Sequence, residues 1–578
     1  MKKQLIQKIS ELTKENRNYK QRFLLSIICN ILFSFTFIVF GPYELYYSNT
    51  TSFDSVFSFG ELWWIMAIIG VCYVLFLSPT IALLKGKIYD YVMSIFFWCS
   101  ICGYLQGNFL NGKMNILDGL NVAWNEMSQK TLLNLIVWFV LLILIFLVLY
   151  MSRTWWRNVI ISLSGMVVFM QVVALVFMII TIPTSQNNDK YLSTENIYEL
   201  SEKDNIIIFV LDRFDKKVYD DIEKKEASFF ERFGGFTSYE NVTSLYSYTF
   251  PAIPYLLTGQ GFLLEQWYTE YENEAYANSE YLKELQFADY EVEAYTNASL
   301  ISSTASNVIS NLRIEKKDVS HLGIAKGMLN LSAYRYAPMV LKPTFWCYTG
   351  DLQNMALENE KTAAYSLADD TFHRNLIQTG LHLQNEHNNY KFYHLVGAHP
   401  PYTLDEYGYS AGVTTQQTEQ AKGSIRIVCD YLDQMKKLGI YKNATIIITA
   451  DHGYDDKPSD GYLGEPNTPI FFFKAAGVDE SMPYRVDNTP ISQADIFATI
   501  LSIIGSDVQI PVDKTLTESN VIFDIPEDSD RIRNFYNVRN YDGNSFYSLL
   551  EYNVQYDAND FNNWKYSGTE YLNNGEYY

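Results

Sequence analysis

The sequence contains little that could bind nucleic acid, because its basic residues are outnumbered and do not cluster. The 578 residues carry 44 Lys and Arg against 65 Asp and Glu, a formal net charge of −21 at pH 7. A protein that binds a phosphate backbone needs a contiguous basic surface that releases counterions. The sequence also lacks repeats and long low-complexity tracts. We therefore exclude a nucleic-acid partner and expect ordinary folded domains.

Cysteine is also scarce, which argues against a disulfide framework. Four of the six cysteines fall within long apolar runs, where cysteine behaves as a small apolar residue. These include Cys99 and Cys102, the one C-x-x-C spacing, so a thiolate metal site has little support. Cys347 and Cys429 lie outside the runs. They could pair in an oxidising compartment or remain two buried thiols, and the sequence leaves both alternatives open.

The charge is distributed unevenly along the chain. Residues 1–184 carry 13 Lys and Arg against 8 Asp and Glu, a net of +5. Residues 185–578 carry 31 against 57, a net of −26. This asymmetry indicates two physically different halves that face different solvents.

The first half contains five apolar runs, each near the ~20 residues that a helix needs to cross a bilayer. The fourth run, LLNLIVWFVLLILIFLVLY, contains no charge. The third is the weakest, because it is short and begins beside Asp90. The five predicted spans are residues 23–40, 63–84, 89–105, 132–150 and 159–182.

The Lys and Arg residues near the span ends predict the orientation in the membrane. Seven precede the first span, Lys85 and Lys87 follow the second, and Arg153 and Arg157 follow the fourth. The other loops are acidic or mixed. The N-terminus is therefore expected in the cytoplasm, and an odd number of spans then leads everything after residue 184 to the outer face.

The second half shows the pattern of an α/β domain. Residues 184–203 are polar and aperiodic, which is typical of a linker, and NIIIFVLD (205–212) is an apolar run ending in a carboxylate. A continuous apolar run of this length predicts a strand buried on both faces of a parallel sheet. Residues 444–453 repeat the pattern. We also expect strands at 390–396 and 469–473 and helices at 419–438 and 492–504.

The predicted organisation has four parts. Strands that alternate with helices favour a mostly parallel sheet, whose ligands bind beyond the carboxyl ends of the strands. The Tyr- and Asn-rich tail suggests a small antiparallel region at its C-terminal end. We expect the boundaries 1–183 for the cytoplasmic segment and five spans, 184–203 for the linker, 204–510 for the catalytic domain and 511–578 for an extension packed on it.

Polar side chains follow two of the predicted strands. Asp212 ends the first, and Asp451 and His452 end the second. Two carboxylates and an imidazole suit one divalent metal ion; we favour Mn²⁺, with Zn²⁺ and Mg²⁺ as alternatives. Taken one at a time, the same residues could be helix N-caps or satisfied polar groups. Their shared position at strand ends favours the metal site.

The segment TFPAIPYLLTG (249–259) resembles the signature of a known enzyme family. It resembles the sulfatase signature C-x-P-S-R-x-x-L-L-T-G of the alkaline-phosphatase superfamily, with Thr249 at the cysteine and Pro251 at the proline. Asp212 matches the first metal carboxylate of that superfamily, and Asp451-His452-Gly453 matches its closing metal motif. The resemblance covers about residues 203–505. The preceding spans resemble the membrane-anchored branch, the lipoteichoic acid synthases and lipid A phosphoethanolamine transferases.

The departures from the signature bear on the chemistry. Thr249 replaces the cysteine that sulfatases oxidise to formylglycine, and Ala252 and Ile253 replace the Ser-Arg that follows it. The resemblance therefore disfavours sulfate-ester hydrolysis by that route and implies a threonine nucleophile, which also ligates the metal. Arg213 stands where sulfatases have a second Asp, which removes one carboxylate from the metal site.

Three further residues are candidates for contact with the substrate. His399, in HLVGAHPPY, follows an apolar run where the superfamily has a histidine that binds the transferred group or protonates the leaving oxygen. His394, in the same run, could contact substrate or have a structural role within the strand. Arg335, in SAYRYAP, is a substrate-binding candidate on position alone.

These features together predict a phosphotransferase on the outer face of a bacterial cytoplasmic membrane. A phospholipid would be the donor, and a cell-surface glycan or teichoic-acid-type polymer the acceptor. The resemblance favours phosphoglycerol as the transferred group, because the outer half lacks the paired cysteines of the lipid A enzymes. The alternatives are phosphoethanolamine transfer, a hydrolase that uses water as acceptor, and a non-catalytic scaffold that binds a glycan.

Overall fold

The computed structural model describes residues 17–50, 53, 56–112, 124–182, 190–315, 318–357, 364–453, 461–540 and 547–572. The described residues form two compact units. The membrane unit contains those of 1–188 and 317–362, and the catalytic unit contains those of 189–316 and 363–578.

The helices alternate with strands in the catalytic unit and dominate the membrane unit. In chain order they are α1 (Tyr19–Ser34), α2 (Gly41–Ser48), α3 (Phe59–Ala82), α4 (Gly86–Leu105), α5 (Ser128–Met151), α6 (Arg153–Thr181), α7 (Lys216–Lys225), α8 (Thr249–Thr258), α9 (Tyr268–Asn278), α10 (Glu280–Phe287), α11 (His321–Tyr336), α12 (Lys342–Phe345), α13 (Thr349–Leu357), α14 (Asp369–Thr379), α15 (Gln417–Lys437), α16 (Asp495–Ile503) and α17 (Val512–Thr515).

Among the described residues, all strands lie in the catalytic unit. In chain order they are β1 (Tyr191–Leu192), β2 (Glu199–Ser201), β3 (Asn205–Leu211), β4 (Thr237–Tyr239), β5 (Val242–Thr243), β6 (Tyr290–Tyr295), β7 (Leu312–Arg313), β8 (His382–Gln384), β9 (Asn388–Leu395), β10 (Thr445–Thr449), β11 (Phe471–Lys474), β12 (Arg485–Asp487), β13 (Ile491–Ser492), β14 (Ile532–Asn540), β15 (Tyr547–Gln555) and β16 (Trp564–Leu572).

The membrane unit confirms the five predicted apolar helices. Helices long and apolar enough to span a bilayer occupy Tyr19–Ser48, Phe59–Ala82, Gly86–Leu110, Ser128–Met151 and Arg153–Thr181. The first and third each contain a π-helical stretch, at Phe35–Phe40 and Gln106–Leu110. We call these five helices spans 1 to 5.

Asp90 is accommodated in the third span by ion pairing. Its side chain is 1% exposed, and its carboxylate lies 2.6 Å from Arg17 and 3.0 Å from Arg153. These contacts join the starts of spans 1, 3 and 5. A buried carboxylate is costly when it is unpaired, so the two arginines explain how this span can carry a charge.

One segment of the membrane unit comes from the middle of the second half of the chain. The sequence predicts a single catalytic domain over residues 204–510, whereas the described residues of 317–362, including α11 to α13, group with the spans. Apolar residues of α11 are buried among residues of the spans, including Ile324, Met328 and Leu331. Burial of this apolar face explains why the segment leaves the catalytic unit.

A seven-stranded sheet organises the catalytic unit, with the order β12-β4-β11-β10-β3-β9-β6. The four strands β10, β3, β9 and β6 are parallel neighbours, and β11 pairs antiparallel with β10 and β4. Every residue of β3 is buried. Ile206, Ile208 and Val210 pack into one apolar core, and Ile207 and Phe209 pack into the core on the opposite face. The mostly parallel sheet is confirmed.

The tail forms the predicted antiparallel region as a sheet of its own, β14-β15-β16. The backbone N–H of Tyr536 in β14 donates to the Leu245 carbonyl at 2.7 Å, and that of Val538 donates to Ser247 Oγ at 2.8 Å. These contacts attach the sheet to the segment that leads into α8.

Two details concern the linker and the cysteines. Within the predicted linker 184–203, residues 184–189 lie outside the described residues, while β1 and β2 pair with β7 and β8. Cys347 is in the membrane unit and Cys429 in the catalytic unit, and both are free thiols. Cys347 and Cys429 therefore do not form a disulfide bond in this structure.

Candidate active site

Three neighbouring parallel strands bring the candidate ligands together. Asp212 directly follows β3, and Asp451 follows β10 after one intervening residue. His394 lies near the end of β9, where it is paired in register with Val210 of β3. Because the carboxyl ends of parallel strands meet at one edge, the three side chains converge there.

Asp212, His394 and Asp451 form a compact buried cluster. One ligand atom from each lies within 4.8 Å of the other two. The residues are 9%, 2% and 0% exposed, respectively. The distance from His394 Nε2 to Asp212 Oδ2 is 3.6 Å, which is longer than a hydrogen bond. Two carboxylates and an imidazole are thus held near one point without direct hydrogen bonding between them.

The cluster has the properties of a metal site. Asp212 Oδ1, Asp451 Oδ2 and His394 Nε2 are buried and have no hydrogen-bond partner among the described residues. A buried polar atom without a partner is costly, so three of them facing one point require a compensating ligand. The second polar atom of Asp451 and of His394 is held by hydrogen bonds. Asp451 Oδ1 accepts from the backbone N–H groups of Arg213 and His452, and His394 Nδ1 contacts Thr296 Oγ1 at 2.9 Å. The residues therefore fit one divalent metal ion.

The pKa of Asp212 is lowered, which favours the ionised carboxylate that a metal ion needs as a ligand. Burial alone would raise the pKa of Asp212, but the charges of His399, His394 and His452 outweigh it and lower the pKa well below its usual range. Asp212 is therefore ionised at neutral pH. The pKa of His394 is raised, because its interactions with Asp212, Asp451 and Asp369 outweigh the effect of burial. When His394 is protonated, metal binding must displace that proton.

Thr249 is the first residue of α8 and lies beside the same cluster. Its side chain is half-buried, and its Oγ1 lies 3.4 Å from His452 Nε2. His452 Nδ1 donates to the Gly453 carbonyl at 2.7 Å, since a carbonyl can only accept. When the imidazole is neutral, its Nε2 lone pair is therefore directed away from that bond. This nitrogen is 3.5 Å from Asp451 Oδ2 and 3.9 Å from Asp212 Oδ1.

The sequence of α8 explains why Thr249 is available at its start. Pro251 lies in the first turn, where its missing N–H breaks no helical hydrogen bond, and Gly259 ends the helix with φ +72°. Residues 251–258 are all buried, whereas Thr249 is not. The hydroxyl thus lies at the N-terminus of a firmly packed helix, whose positive end favours an anionic group.

His399 lies in the loop after β9, and its backbone is held on both sides. Its N–H donates to the Val396 carbonyl at 3.0 Å, and its carbonyl accepts from Gln420 Nε2 of α15 at 2.5 Å. Its charge is the largest favourable influence on the ionisation of Asp212. His399 therefore acts electrostatically on the cluster and remains a candidate for contact with substrate.

Arg335 has a different environment from the other candidates. It lies in α11 of the membrane unit, where its guanidinium pairs with Glu44 at 2.6 Å. The Asp212 cluster belongs entirely to the catalytic unit. The contacts described for Arg335 thus give it a role in holding α11 to span 1, and the predicted role in substrate binding gains no support from them.

Asp369 is a residue that sequence reasoning missed. Its carboxylate accepts from the backbone N–H of Val396 at 2.8 Å and of Gly397 at 3.3 Å, and it is fully buried. Burial raises its pKa to about 6. It holds the turn between His394 and His399. The only signal in the sequence was an acidic pair at the start of a helix, which usually marks solvent-exposed capping.

Gly397 allows this turn to approach the end of β3. Its φ is +61°, and a Cβ atom would lie 2.5 Å from the backbone N of Asp212. Gly412 has a similar φ of +68°, with nothing within 4 Å of a Cβ.

We expect Gly397→Ala to destabilise the catalytic unit far more than Gly412→Ala. Both variants should lose about 1 kcal/mol to the left-handed backbone, and only Gly397→Ala should lose a further 1–3 kcal/mol to the clash. Denaturant unfolding of the two variants measures the difference. Equal losses would show that the turn tolerates a side chain at position 397.

Comparisons with known proteins support these features. Residues 231–506 match the family model described as Sulfatase. This region is therefore similar to sulfatase domains. Thr249, His394, His399, Asp451 and His452 lie within the match, and Asp212 precedes it. The match supports an enzyme with a sulfatase-like domain.

Solved structures also resemble the chain at low identity. The lipoteichoic acid synthase LtaP from Listeria monocytogenes is 10% identical, with 64% of this chain and 89% of that chain covered and a TM-score of 0.32. The phosphonate monoester hydrolase from Silicibacter pomeroyi is 12% identical, covers 65% and 90%, and has a TM-score of 0.35. An alkaline phosphatase superfamily protein from Vibrio parahaemolyticus is 12% identical, covers 66% and 85%, and also has a TM-score of 0.35. No curated protein matches the sequence.

Proposed function

We propose that the protein is a membrane-anchored, metal-dependent phosphotransferase. It takes a phospho-alcohol group, with phosphoglycerol favoured, from a membrane phospholipid and passes it to a cell-surface glycan or teichoic-acid-type polymer. The observation that carries the proposal is the hydroxyl of Thr249 at the start of α8, 3.4 Å from His452 and beside the Asp212 cluster. A threonine cannot form the formylglycine that sulfate-ester hydrolysis by the sulfatase route requires.

The buried polar atoms support an assignment of the residues that would hold the metal ion. Asp212, Asp451 and His394 provide three ligand atoms, and His452 Nε2 and Thr249 Oγ1 lie beside them. A mixed oxygen and nitrogen set of this kind suits Mn²⁺ or Zn²⁺, and Mg²⁺ less well. When bound, the ion would lower the pKa of the Thr249 hydroxyl and neutralise charge on the phosphate oxygens.

The residues of the chain perform the transfer in two steps. In the first, Thr249 Oγ attacks the phosphorus, the bond to the diacylglycerol oxygen breaks, and Thr249 carries the phospho-alcohol group. His399 is suited to protonate the departing oxygen, because an imidazole can donate a proton near neutral pH. In the second step an acceptor hydroxyl attacks the phosphothreonine and regenerates Thr249.

The donor lipid is tested with purified protein and Mn²⁺. We expect diacylglycerol release from phosphatidylglycerol, measured by mass spectrometry, and little from phosphatidylethanolamine. Omitting the protein and adding EDTA are the controls. Release from phosphatidylethanolamine alone would contradict the choice of phosphoglycerol, and release from neither lipid, with no bound metal, would favour a non-catalytic scaffold.

A hydrolase that uses water as acceptor is the second candidate, and the match to the sulfatase family favours it. Both enzymes would release diacylglycerol and form the same phosphothreonine. A phosphatidylglycerol labelled in its headgroup separates them in membranes that contain the acceptor polymer. Label in the polymer supports transfer, whereas label found only as free glycerol phosphate supports hydrolysis.

The proposed reaction requires the catalytic unit to be outside the cell. The Lys and Arg pattern at the span ends supports a cytoplasmic N-terminus. We expect an alkaline phosphatase reporter, which is active only after export, to be active when fused after residue 184. The same reporter fused after residue 85, in the turn that follows span 2, should be inactive. The reverse result would contradict this orientation.

A further inference from the structure

A cavity of about 660 Å³ lies within the membrane unit. One wall consists of residues from spans 1, 3 and 4, among them Phe37, Trp98 and Leu142. The other wall consists of the inserted segment, from Leu329 of α11 to Phe345 of α12. Its volume is in the ~300–1,000 Å³ range that is typical of ligand sites.

The lining of the cavity is almost entirely apolar. Ser332 is the lining residue with an aliphatic hydroxyl, and its Oγ donates to the Phe37 carbonyl at 2.6 Å. The indole N–H groups of Trp98 and Trp138 are likewise engaged, with the Trp138 carbonyl and Gln106 Oε1. The cavity therefore offers little hydrogen bonding to a polar ligand, and it suits a hydrocarbon chain.

The wall formed by the inserted segment is held in place by polar contacts. Asn134 Oδ1 of span 4 accepts from the Met339 N–H at 3.0 Å, and Asn111 Nδ2 donates to the Arg335 carbonyl at 3.0 Å. The hydroxyl of Tyr336 donates to Glu44 at 3.1 Å. A hydrogen bond in an apolar environment is costly to break, so these contacts make the wall a fixed surface.

Close packing further shapes this wall. A Cβ atom on Gly103 would lie 2.3 Å from the Phe37 ring, and one on Gly107 would lie 2.3 Å from the Tyr336 ring. The two aromatic rings can therefore approach span 3 only because glycine is present. Phe37 also lies in the π-helical stretch of span 1, and such stretches often accompany functional sites.

The cavity opens toward the surroundings of the spans. Leu135 is 39% exposed and Phe139 is 61% exposed, and both line it. Around a helix that crosses the membrane, the medium in contact with such residues is lipid hydrocarbon. Most of the lining residues of spans 1, 3 and 4 lie between the middle of the span and its end opposite the N-terminus, whereas Phe33 and Leu142 lie just beyond the middle on the other side.

We infer that this cavity binds one acyl chain of a glycerophospholipid from the leaflet opposite the N-terminus. A diacyl lipid is the abundant apolar molecule there, and the fixed wall of α11 and α12 would retain one of its chains. The inference concerns binding only, so it goes beyond the proposed transfer reaction and stands or falls independently of Thr249.

Photocrosslinking in nanodiscs tests the inference with the full chain. The probe is a phosphatidylcholine with a diazirine near the end of one acyl chain, which carries neither phosphoglycerol nor phosphoethanolamine. We expect adducts concentrated on peptides from α11, α12 and the Trp98 region, above the level on lipid-facing residues of span 5. Adducts spread evenly over all spans would overturn the inference.

Two matched substitutions on span 4 provide the control. Leu142 lines the cavity, whereas Leu144 does not and is 48% exposed. Leu142→Trp should lower the cavity adducts about tenfold, because the larger side chain occupies the space of the bound acyl chain. Leu144→Trp should leave them unchanged. Equal adducts in the two variants would contradict a specific site.

A second variant covers the case in which Leu142→Trp does not fold. Ala333→Phe fills the cavity from the α11 wall. It should reduce the same adducts without altering those on span 5. Crosslinks between two chains through this face would instead show that a second copy occupies the cavity.

Discussion

Thr249→Ala should reduce diacylglycerol release by about 10⁴-fold or more, because removing a covalent nucleophile leaves only binding and electrostatic contributions. The substitution removes a half-buried hydroxyl whose described hydrogen bond, to His452, is 3.4 Å long. The thermal stability of the variant should therefore stay close to that of the native chain, within about 1 kcal/mol. Release rates and melting temperatures measured on the same preparations separate a chemical defect from misfolding.

Thr249→Ser is the matched control for this experiment. It retains the hydroxyl at the start of α8 and should keep measurable activity, with a loss of roughly tenfold for altered positioning. Mass spectrometry of the native chain after brief reaction should detect a phospho-alcohol adduct on Thr249. Continued transfer by Thr249→Ala would contradict the proposed mechanism, whatever the donor lipid.

His394→Gln should abolish stable metal binding, with a loss of affinity of at least about 100-fold. His394 Nε2 is one of three buried atoms in the cluster without a hydrogen-bond partner among the described residues. The native chain should be stabilised by Mn²⁺, by about 2.7 kcal/mol at 100 times the dissociation constant, and EDTA should remove that gain. The melting temperature of His394→Gln should respond to neither. Metal analysis and thermal melts measure both effects.

His373→Gln is the control, because His373 is also buried and lies in the same unit. Both of its ring nitrogens are engaged, at 2.8 Å from Asp430 and 3.1 Å from the Gly408 carbonyl. This substitution should lower stability through lost hydrogen bonds while the metal response persists. If His394→Gln retained full metal binding and His373→Gln did not, the assignment of the cluster as the metal site would be wrong.

Asp451→Asn distinguishes a ligand from a structural carboxylate. Its Oδ1 can keep the two backbone hydrogen bonds from Arg213 and His452, while the atom at the Oδ2 position becomes an amide nitrogen. In EDTA the variant should be no less stable than the native chain, because a buried charge has been removed. In Mn²⁺ it should be the less stable of the two. This reversal is the result expected of a metal ligand.

Much of the molecule follows from local sequence patterns. The five spans, the buried strand β3 and the helix α8 are each encoded within a short stretch, because apolar length and periodicity act through nearest neighbours. Asp212 and Asp451 could be selected for the same reason, since each lies at the end of a predicted strand, and Thr249 could be selected from the signature that begins with it. The family resemblance added their chemical roles, and the match over residues 231–506 supports the domain it implied.

The tertiary structure decided what depends on contacts between distant segments. His394 enters the cluster because its position in β9 is in register with Val210 in β3, and register between strands 184 residues apart has no local signal. The placement of α11 also has no local signal, because its apolar residues are as consistent with a domain core as with packing on spans 1 and 2. Nor does the sequence indicate that the carboxylate partner of Arg335 is Glu44. In each case the sequence by itself determined which groups must be buried, and only the assembled fold decided which partners bury them.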